Sequence, residues 1–154
     1  MLLVNLLKTT SKNYRKIHVK GISFDSREVK KNYIFFAIKG NETSGIKFIN
    51  DAIKKGACAI VTSKKTDLTN SKIPFILVKD VRKSLSEASS NFYKQKPSNI
   101  IVVTGTNGKS SVADFFYQIL SLNHIPVASI GTLGVFSKSY KKKTNLTSLD
   151  PLSL

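Results

Sequence analysis

The sequence is short of several things at once: one cysteine, one methionine, four prolines, no tryptophan and only nine carboxylates among 154 residues. A single cysteine, Cys58, excludes an internal disulfide and any zinc site built from several thiolates. His18 and His124 have no second histidine or carboxylate at ligand spacing, so no metal centre is expected from them. No apolar run approaches the ~20 residues a membrane helix requires. Ile73 to Val78, with its Pro74, and Tyr33 to Ile38 are only six residues each. Met1-Leu-Leu-Val has no basic segment before it of the kind that opens a secretory leader. A cytoplasmic protein with no membrane span is the expectation.

Acidic residues are outnumbered 25 to 9 by Lys and Arg, giving a formal charge of +16. Arginine is nevertheless scarce, with Arg15, Arg27 and Arg82 against 22 lysines. Arginine is the side chain that forks onto phosphates and guanines, so its scarcity argues against a sequence-specific nucleic-acid reader. The lysines are scattered, and Lys141-Lys142-Lys143 is the one dense run. They read as a solvated surface.

What is present is a globular composition, 41% apolar and 22% charged. A chain of this length buries roughly 68–70% of its unfolded surface, enough for a core. Strand and helix patterns alternate, which indicates an α/β fold. Ile17 to Phe24 and Tyr33 to Ile38 read as strands, and Ile46, Ile49, Ala52 and Ile53 recur at helical spacing before Gly56, a natural C-terminal cap. Ala57 to Thr62 and Pro74 to Val78 are short strands. Asp80 can cap a helix with the apolar stripe Val81, Leu85, Ala88 and Phe92. Cys58, in an apolar strand, is expected in the core. Lys94 to Asn99 is polar, contains Pro97 and reads as a linker.

Beyond it, Ile100-Ile-Val-Val103 has the continuous apolar character of a strand covered on both faces of a parallel sheet. It runs into Thr104-Gly-Thr-Asn-Gly-Lys-Ser110 and then a helix with Val112, Phe115, Phe116, Ile119 and Leu120 on one face. Pro126 to Ile130 reads as the next strand, closing a βαβ unit. The last twenty residues look irregular, with Asp150-Pro151 as a helix start.

The strongest chemical signal is Gly105-Thr106-Asn107-Gly108-Lys109-Ser110 between strand and helix. Glycines let backbone N–H groups converge on phosphate oxygens, and the helix N-terminus adds its positive dipole end. Lys109 would reach the β/γ-phosphates and the Ser110 hydroxyl would ligate Mg²⁺. The full P-loop pattern places a first glycine where this chain has Val103, so only the G-K-[ST] half matches. A glycine turn with a surface lysine is the plain alternative.

The stretch from Val102 to Ser111 resembles the ATP-binding signature of the Mur ligase and folylpolyglutamate synthase superfamily. Asp25-Ser26-Arg27, the Tyr33-Ile-Phe-Phe-Ala-Ile strand, Gly40-Asn-Glu-Thr-Ser-Gly45, Gly131-Thr-Leu-Gly134 and the segment from Asn145 to Leu154 are similar, in that order, to its muramoyl-tripeptide synthetase branch. The resemblance implies a small mixed-sheet domain for a UDP-linked substrate over residues 1–96, then the first βαβ of a P-loop central domain over 97–154. It implies ATP and Mg²⁺ as cofactors, with Gly105, Thr106, Asn107, Gly108, Lys109, Ser110 and Ser111 on the nucleotide. It implies a UDP-N-acetylmuramoyl peptide as partner, touched by Asp25, Ser26, Arg27, Asn41, Glu42, Thr43, Thr147 and Ser148. Asn41 to Thr43 are atypical for the family, and Leu149 stands where it commonly has proline. Taken singly, Asp25-Ser26 also reads as a turn and Thr147-Ser148 as a helix cap.

The activity so implied is ATP-dependent amide ligation in peptidoglycan synthesis. ATP phosphorylates the terminal carboxylate of the muramoyl dipeptide, and the amine of a third amino acid, for example meso-diaminopimelate, displaces phosphate. The family's downstream metal, modified-lysine and amino-acid sites have no counterpart here, so the chain reads as the opening part of such an enzyme, with no catalytic residue of its own and expected as a monomer. A non-catalytic module that holds the UDP-muramoyl peptide and a basic nucleic-acid or membrane-surface protein are the competing readings.

Overall fold

The computed structural model describes residues 1–7, 14, 16–40, 43–64, 72–143 and 150–152. The chain forms two compact units, Met1–Gln95 and Lys96–Leu154. The α/β class holds in the first, where a short helix α1 (Leu3–Leu6) precedes strands β1 (Gly21–Ser23) and β2 (Tyr33–Phe36). A 3₁₀ turn (Gly45–Phe48) leads into α2 (Ile49–Lys54), then β3 (Ala57–Thr62), β4 (Phe75–Leu77) and α3 (Val81–Phe92). The sheet order is β1-β2-β3-β4 and every pairing is parallel, so the sheet is uniform where a mixed one was expected. Parallel neighbours need crossovers, and α2 is the crossover from β2 to β3.

The aromatic and β-branched run Tyr33-Ile-Phe-Phe36 suits a strand covered on both faces, and Ile34, Phe35 and Phe36 are all buried. Phe35 packs with Ile49 and Ala52 of α2 and with Val29, Ala37, Ala57 and Ile60. Ala57 and Ile60 could not share a face at that spacing in a regular strand. The register explains it: Tyr33 pairs with Ala57 and Ile34 with Ala59, so Cys58 is the extra residue of a bulge. Cys58 is accordingly only partly buried, and burial still pushes its thiol pKa up. Gly56, at φ +93°, ends α2, and a Cβ there would stand 3.1 Å from the Lys31 backbone. Both constraints call for glycine.

Asp80 caps α3 by accepting a 3.0 Å bond from the Lys83 N–H. The helix buries Val81, Leu85 and Ala88, and α1 packs against it. Asn91 Nδ2 fixes that contact by donating to the Leu6 carbonyl at 3.1 Å.

The second unit departs further from expectation. Helix α4 (Lys109–Leu122) follows the glycine loop, and β5 (Ala128–Gly131), β6 (Gly134–Ser137) and β7 (Lys141–Lys142) form an antiparallel sheet in that order. Residues 100–103 are not a strand, and Ile100 and Val102 are 75% and 82% exposed. A parallel strand exists only by pairing, and no described strand pairs with this segment. β5 pairs instead with β6 through a two-residue turn, Thr132-Leu133, so the expected βαβ is not formed. The apolar residues Val112, Phe115, Phe116 and Ile119 of α4 are exposed. The last twenty residues, expected to be irregular, hold most of β6 and all of β7. Residues 151–152 form a turn in which the Leu152 N–H bonds Asp150 Oδ1 at 2.9 Å, the bond a helix N-cap makes, and the residues that would continue such a helix lie outside the described ones.

Candidate functional site

Two loops carry the expected site residues, one in each unit. In the first unit, all four strands run the same way, so the segments leaving their carboxyl ends gather along one edge of the sheet. Open parallel sheets bind ligands at that edge. Asp25-Ser26-Arg27 leaves β1, and the neighbouring β2 leads into a tight reversal in which Lys39 bridges Ser44 and the Gly40 N–H bonds the Thr43 carbonyl at 2.9 Å. Thr43 is exposed there. Asn41 and Glu42 lie outside the described residues, as do Thr147 and Ser148.

The Asp25 turn is held from within. Ser23 Oγ donates to the Asp25 carbonyl at 2.9 Å and accepts from the Asp25 N–H at 3.1 Å. Asp25 Oδ1 accepts from the Arg27 N–H at 2.8 Å, an Asx turn. The Arg27 guanidinium then grips the same carboxylate, with Nε 3.0 Å from both oxygens and Nη2 2.6 Å from Oδ2. Hydrogen bonding to Arg27 holds the Asp25 carboxyl below the usual carboxylate range, against a smaller opposing effect of burial. The Arg27 side chain is 86% exposed, leaving its outer face to solvent. Ser26, between them, is only 8% exposed, and its hydroxyl has no hydrogen-bond partner among the described residues. A buried hydroxyl in that condition is an unused donor and acceptor.

In the second unit, Gly105 and Gly108 sit at φ +148° and +77°, conformations that favour glycine. Gly108 is the N-cap of α4 and offers no side-chain cap, and the first intrahelical bond runs from Val112 N–H to the Gly108 carbonyl at 2.9 Å. The N–H groups of Lys109, Ser110 and Ser111 therefore have no helical acceptor and point out of the helix start. Lys109 Nζ turns back onto the carbonyls of Gly105 and Thr106, 3.1 Å from the latter. Ser110 Oγ lies 3.1 Å from Thr132 Oγ1. Thr106, Asn107 and Ser111 are exposed. Free N–H groups, an ammonium and a hydroxyl at one helix start are chemically suited to an anion.

Residues 18–93 match the domain described as "Mur ligase family, catalytic domain", and residues 103–154 match "Mur ligase middle domain". The chain belongs to the Mur ligase family. A UDP-N-acetylmuramoyl-L-alanyl-D-glutamate–2,6-diaminopimelate ligase from Rickettsia montanensis is 46% identical over 144 residues, 91% of this chain and 30% of that protein. A solved structure of a ligase of the same name superposes with a TM-score of 0.75 at 25% identity, covering 99% of this chain and 31% of the other. The MurF ligase of Thermotoga maritima, solved with ADP, superposes over 70% of this chain with a TM-score of 0.55 at 27% identity, and 24% of that chain is covered. This chain thus spans between 24% and 31% of the length of these relatives.

Three residues of this Mur ligase chain act on the loops without having been expected to. Ser23 and Lys55 brace the Asp25 turn, and Thr132 meets the glycine loop. Thr132 belongs to the Gly131–Gly134 motif, whereas Lys55 has no sequence signal, since it reaches Arg27 from 28 residues away. Among the described residues no group of three or more His, Cys, Asp or Glu could hold a metal, and no helix is long and apolar enough to cross a membrane.

Proposed function

We propose that this chain carries the UDP-muramoyl-peptide and ATP-phosphate contacts of a UDP-N-acetylmuramoyl-L-alanyl-D-glutamate–2,6-diaminopimelate ligase, working in the cytoplasm on peptidoglycan precursors. The observation that carries the reading is the pair of prepared loops in one chain. One presents a buried Ser26 hydroxyl, without a hydrogen-bond partner among the described residues, beside an ordered Asp25–Arg27 turn. The other presents two positive-φ glycines, an uncapped helix start, Lys109 and Ser110. Relatives named for this ligation and a family member solved with ADP support it.

The second loop fits a polyphosphate with Mg²⁺. The N–H groups of Lys109, Ser110 and Ser111 have no acceptor within the helix, and among the described residues the Lys109 ammonium is bonded to carbonyls that it can exchange for phosphate oxygens. ATP would supply the phosphoryl group that activates the substrate carboxylate. Lys109 neutralises charge on the β/γ-phosphates, the amides of residues 105–111 orient them, and Ser110 offers its hydroxyl to the cation. At the other loop, the Ser26 hydroxyl and the outer face of Arg27 meet the uridine nucleotide. Asp25 orients Arg27, and Asn41, Glu42 and Thr43 border the same nucleotide. Thr147 and Ser148 serve the muramoyl-peptide end. The functional boundary between the two parts falls near residue 96. The scattered lysines make no specific nucleic-acid contact, and the chain works as a monomer.

Calorimetric titration of UMP and of Mg²⁺-ADP onto the chain tests both halves. Ser26→Ala weakens UMP alone, and Lys109→Ala weakens Mg²⁺-ADP alone. A chain that binds Mg²⁺-ADP tightly and ignores UMP is a generic phosphate-loop protein, and the ligase assignment of the first unit then fails.

A further inference from the structure

The Ser110 hydroxyl is not free at the helix start. It lies 3.1 Å from the hydroxyl of Thr132, the first residue of the two-residue turn between β5 and β6. That turn is well fixed. Gly131 pairs with Gly134 across it, and Gly134, at φ +127°, is overlaid so closely by the Lys142 carbonyl of β7 that no Cβ could be accommodated. β5 also packs against α4, the helix that Ser110 begins. Thr132 is β-branched and therefore stiff at χ1, while serine moves among three rotamers at little cost. Lys109 folds back into its own loop, so its ammonium does not tie the loop to the hairpin.

We propose that Thr132 is a positioning residue of the glycine loop, holding Ser110 Oγ in the rotamer from which it serves a nucleotide-bound divalent cation. The inference rests on the nucleotide reading given above and adds to it a residue from outside the loop. A hydroxyl has one proton and two acceptor lone pairs. When Ser110 O–H donates to Thr132 Oγ1, both lone pairs of Ser110 are left for a cation. Groups that orient a metal-ligating atom in this way raise metal affinity without touching the metal. Thr132 thus contributes when Mg²⁺ is present and not otherwise.

The test is calorimetric titration of ADP onto the full chain, with Mg²⁺ and with EDTA, for wild type, Ser110→Ala, Thr132→Val, Thr132→Ser and the Ser110→Ala/Thr132→Val pair. Thr132→Val keeps the shape and the β-branch and loses only the hydroxyl. It is expected to weaken Mg²⁺-ADP about three- to tenfold, the range one hydrogen bond sustains, and to leave ADP in EDTA unchanged. Thr132→Ser, which keeps the hydroxyl and loses the stiffness of the β-branch, recovers part of the lost affinity, and the double variant is no weaker than Ser110→Ala. Wild-type affinity in the valine variant, equal losses with and without Mg²⁺, or losses that multiply in the double variant overturn the inference while the loop reading stands. A wild-type chain whose ADP affinity ignores Mg²⁺ overturns both. Should the valine variant fail to fold, Thr132→Ala takes its place, and loss of Mg²⁺ dependence with serine rescue is still required.

Discussion

Lys55 Nζ donates a 3.0 Å hydrogen bond to the Arg27 carbonyl, joining the end of α2 to the Asp25–Arg27 turn. The ammonium also lowers the Asp25 pKa through space, after the larger contribution of Arg27. Lys55→Met removes both effects while keeping the aliphatic stem. Global stability is expected to change by less than about 0.5 kcal/mol, as for most surface substitutions. UMP affinity should fall about twofold, the low end for loss of one solvent-exposed hydrogen bond. Calorimetry and a melting curve separate the two, and a large melting shift with unchanged UMP affinity would make Lys55 a purely structural residue.

The Asp25–Arg27 pair sets a pH dependence whose sign follows from the shift. The carboxyl of Asp25 is held low in the folded chain, so the pair's contribution is fully present above the ordinary carboxylate range. It is lost as the pH falls through the lowered value. The turn should stay ordered through the mildly acidic range and loosen only below it. Carbon-detected NMR titration of the Asp25 carboxyl reads this directly. Arg27→Gln should move the midpoint upward, and an unmoved midpoint would mean that Arg27 is not the cause.

Helix α3 offers a quantitative check on the first unit. Asp80 satisfies one of the N–H groups left open at the start of the helix, that of Lys83. Asp80→Ala is expected to cost about 1 kcal/mol, and Asp80→Asn or Asp80→Ser considerably less. Urea unfolding measures it, and an alanine variant as stable as wild type would show that the cap is idle. Phe35→Ala, at the fully buried centre of the α2 face, should cost roughly 3–5 kcal/mol in the same assay.

Much of this was legible residue by residue. β3 runs from Ala57 to Thr62, as its apolar pattern predicts, because a run buried on both faces and flanked by Gly56 and Ser63 has few alternatives. Asp80 and the start of α3 follow from a cap residue just before an apolar stripe at helical spacing. The glycine loop leading directly into a helix, at Gly105 to Ser110, follows from the motif, and the structure adds the positive φ of Gly105 and Gly108. What the sequence hides are relations across the chain. The bulge at Cys58 exists only in register with Tyr33 and Ile34. Lys55 is one lysine among 22 until the fold brings it to Arg27. Ile100 to Val103 has strand composition, but composition supplies no partner, and with no strand among the described residues paired to the segment Ile100, Ile101 and Val102 remain exposed.

That contrast governs what the isolated chain should bind. The first unit buries Phe35, Phe36, Ile34, Ile60 and Leu85 almost completely, so its loops rest on a packed support. In the second, the segment leading into the glycine loop and the apolar face of α4 are open to solvent. Local opening is easiest where buried apolar contacts are few. Amides of β2 and β3 should therefore exchange slowly with deuterium, and those of residues 100–103 at nearly unprotected rates. A loop on a fluctuating support must be ordered by its ligand, which costs affinity. The 154-residue chain should hold UMP or a UDP-muramoyl peptide more tightly than Mg²⁺-ADP, and release no phosphate from ATP when given UDP-muramoyl dipeptide and diaminopimelate. Slow exchange across residues 100–103, together with phosphate release that disappears in Lys109→Ala, would show that the second unit stands and works unaided.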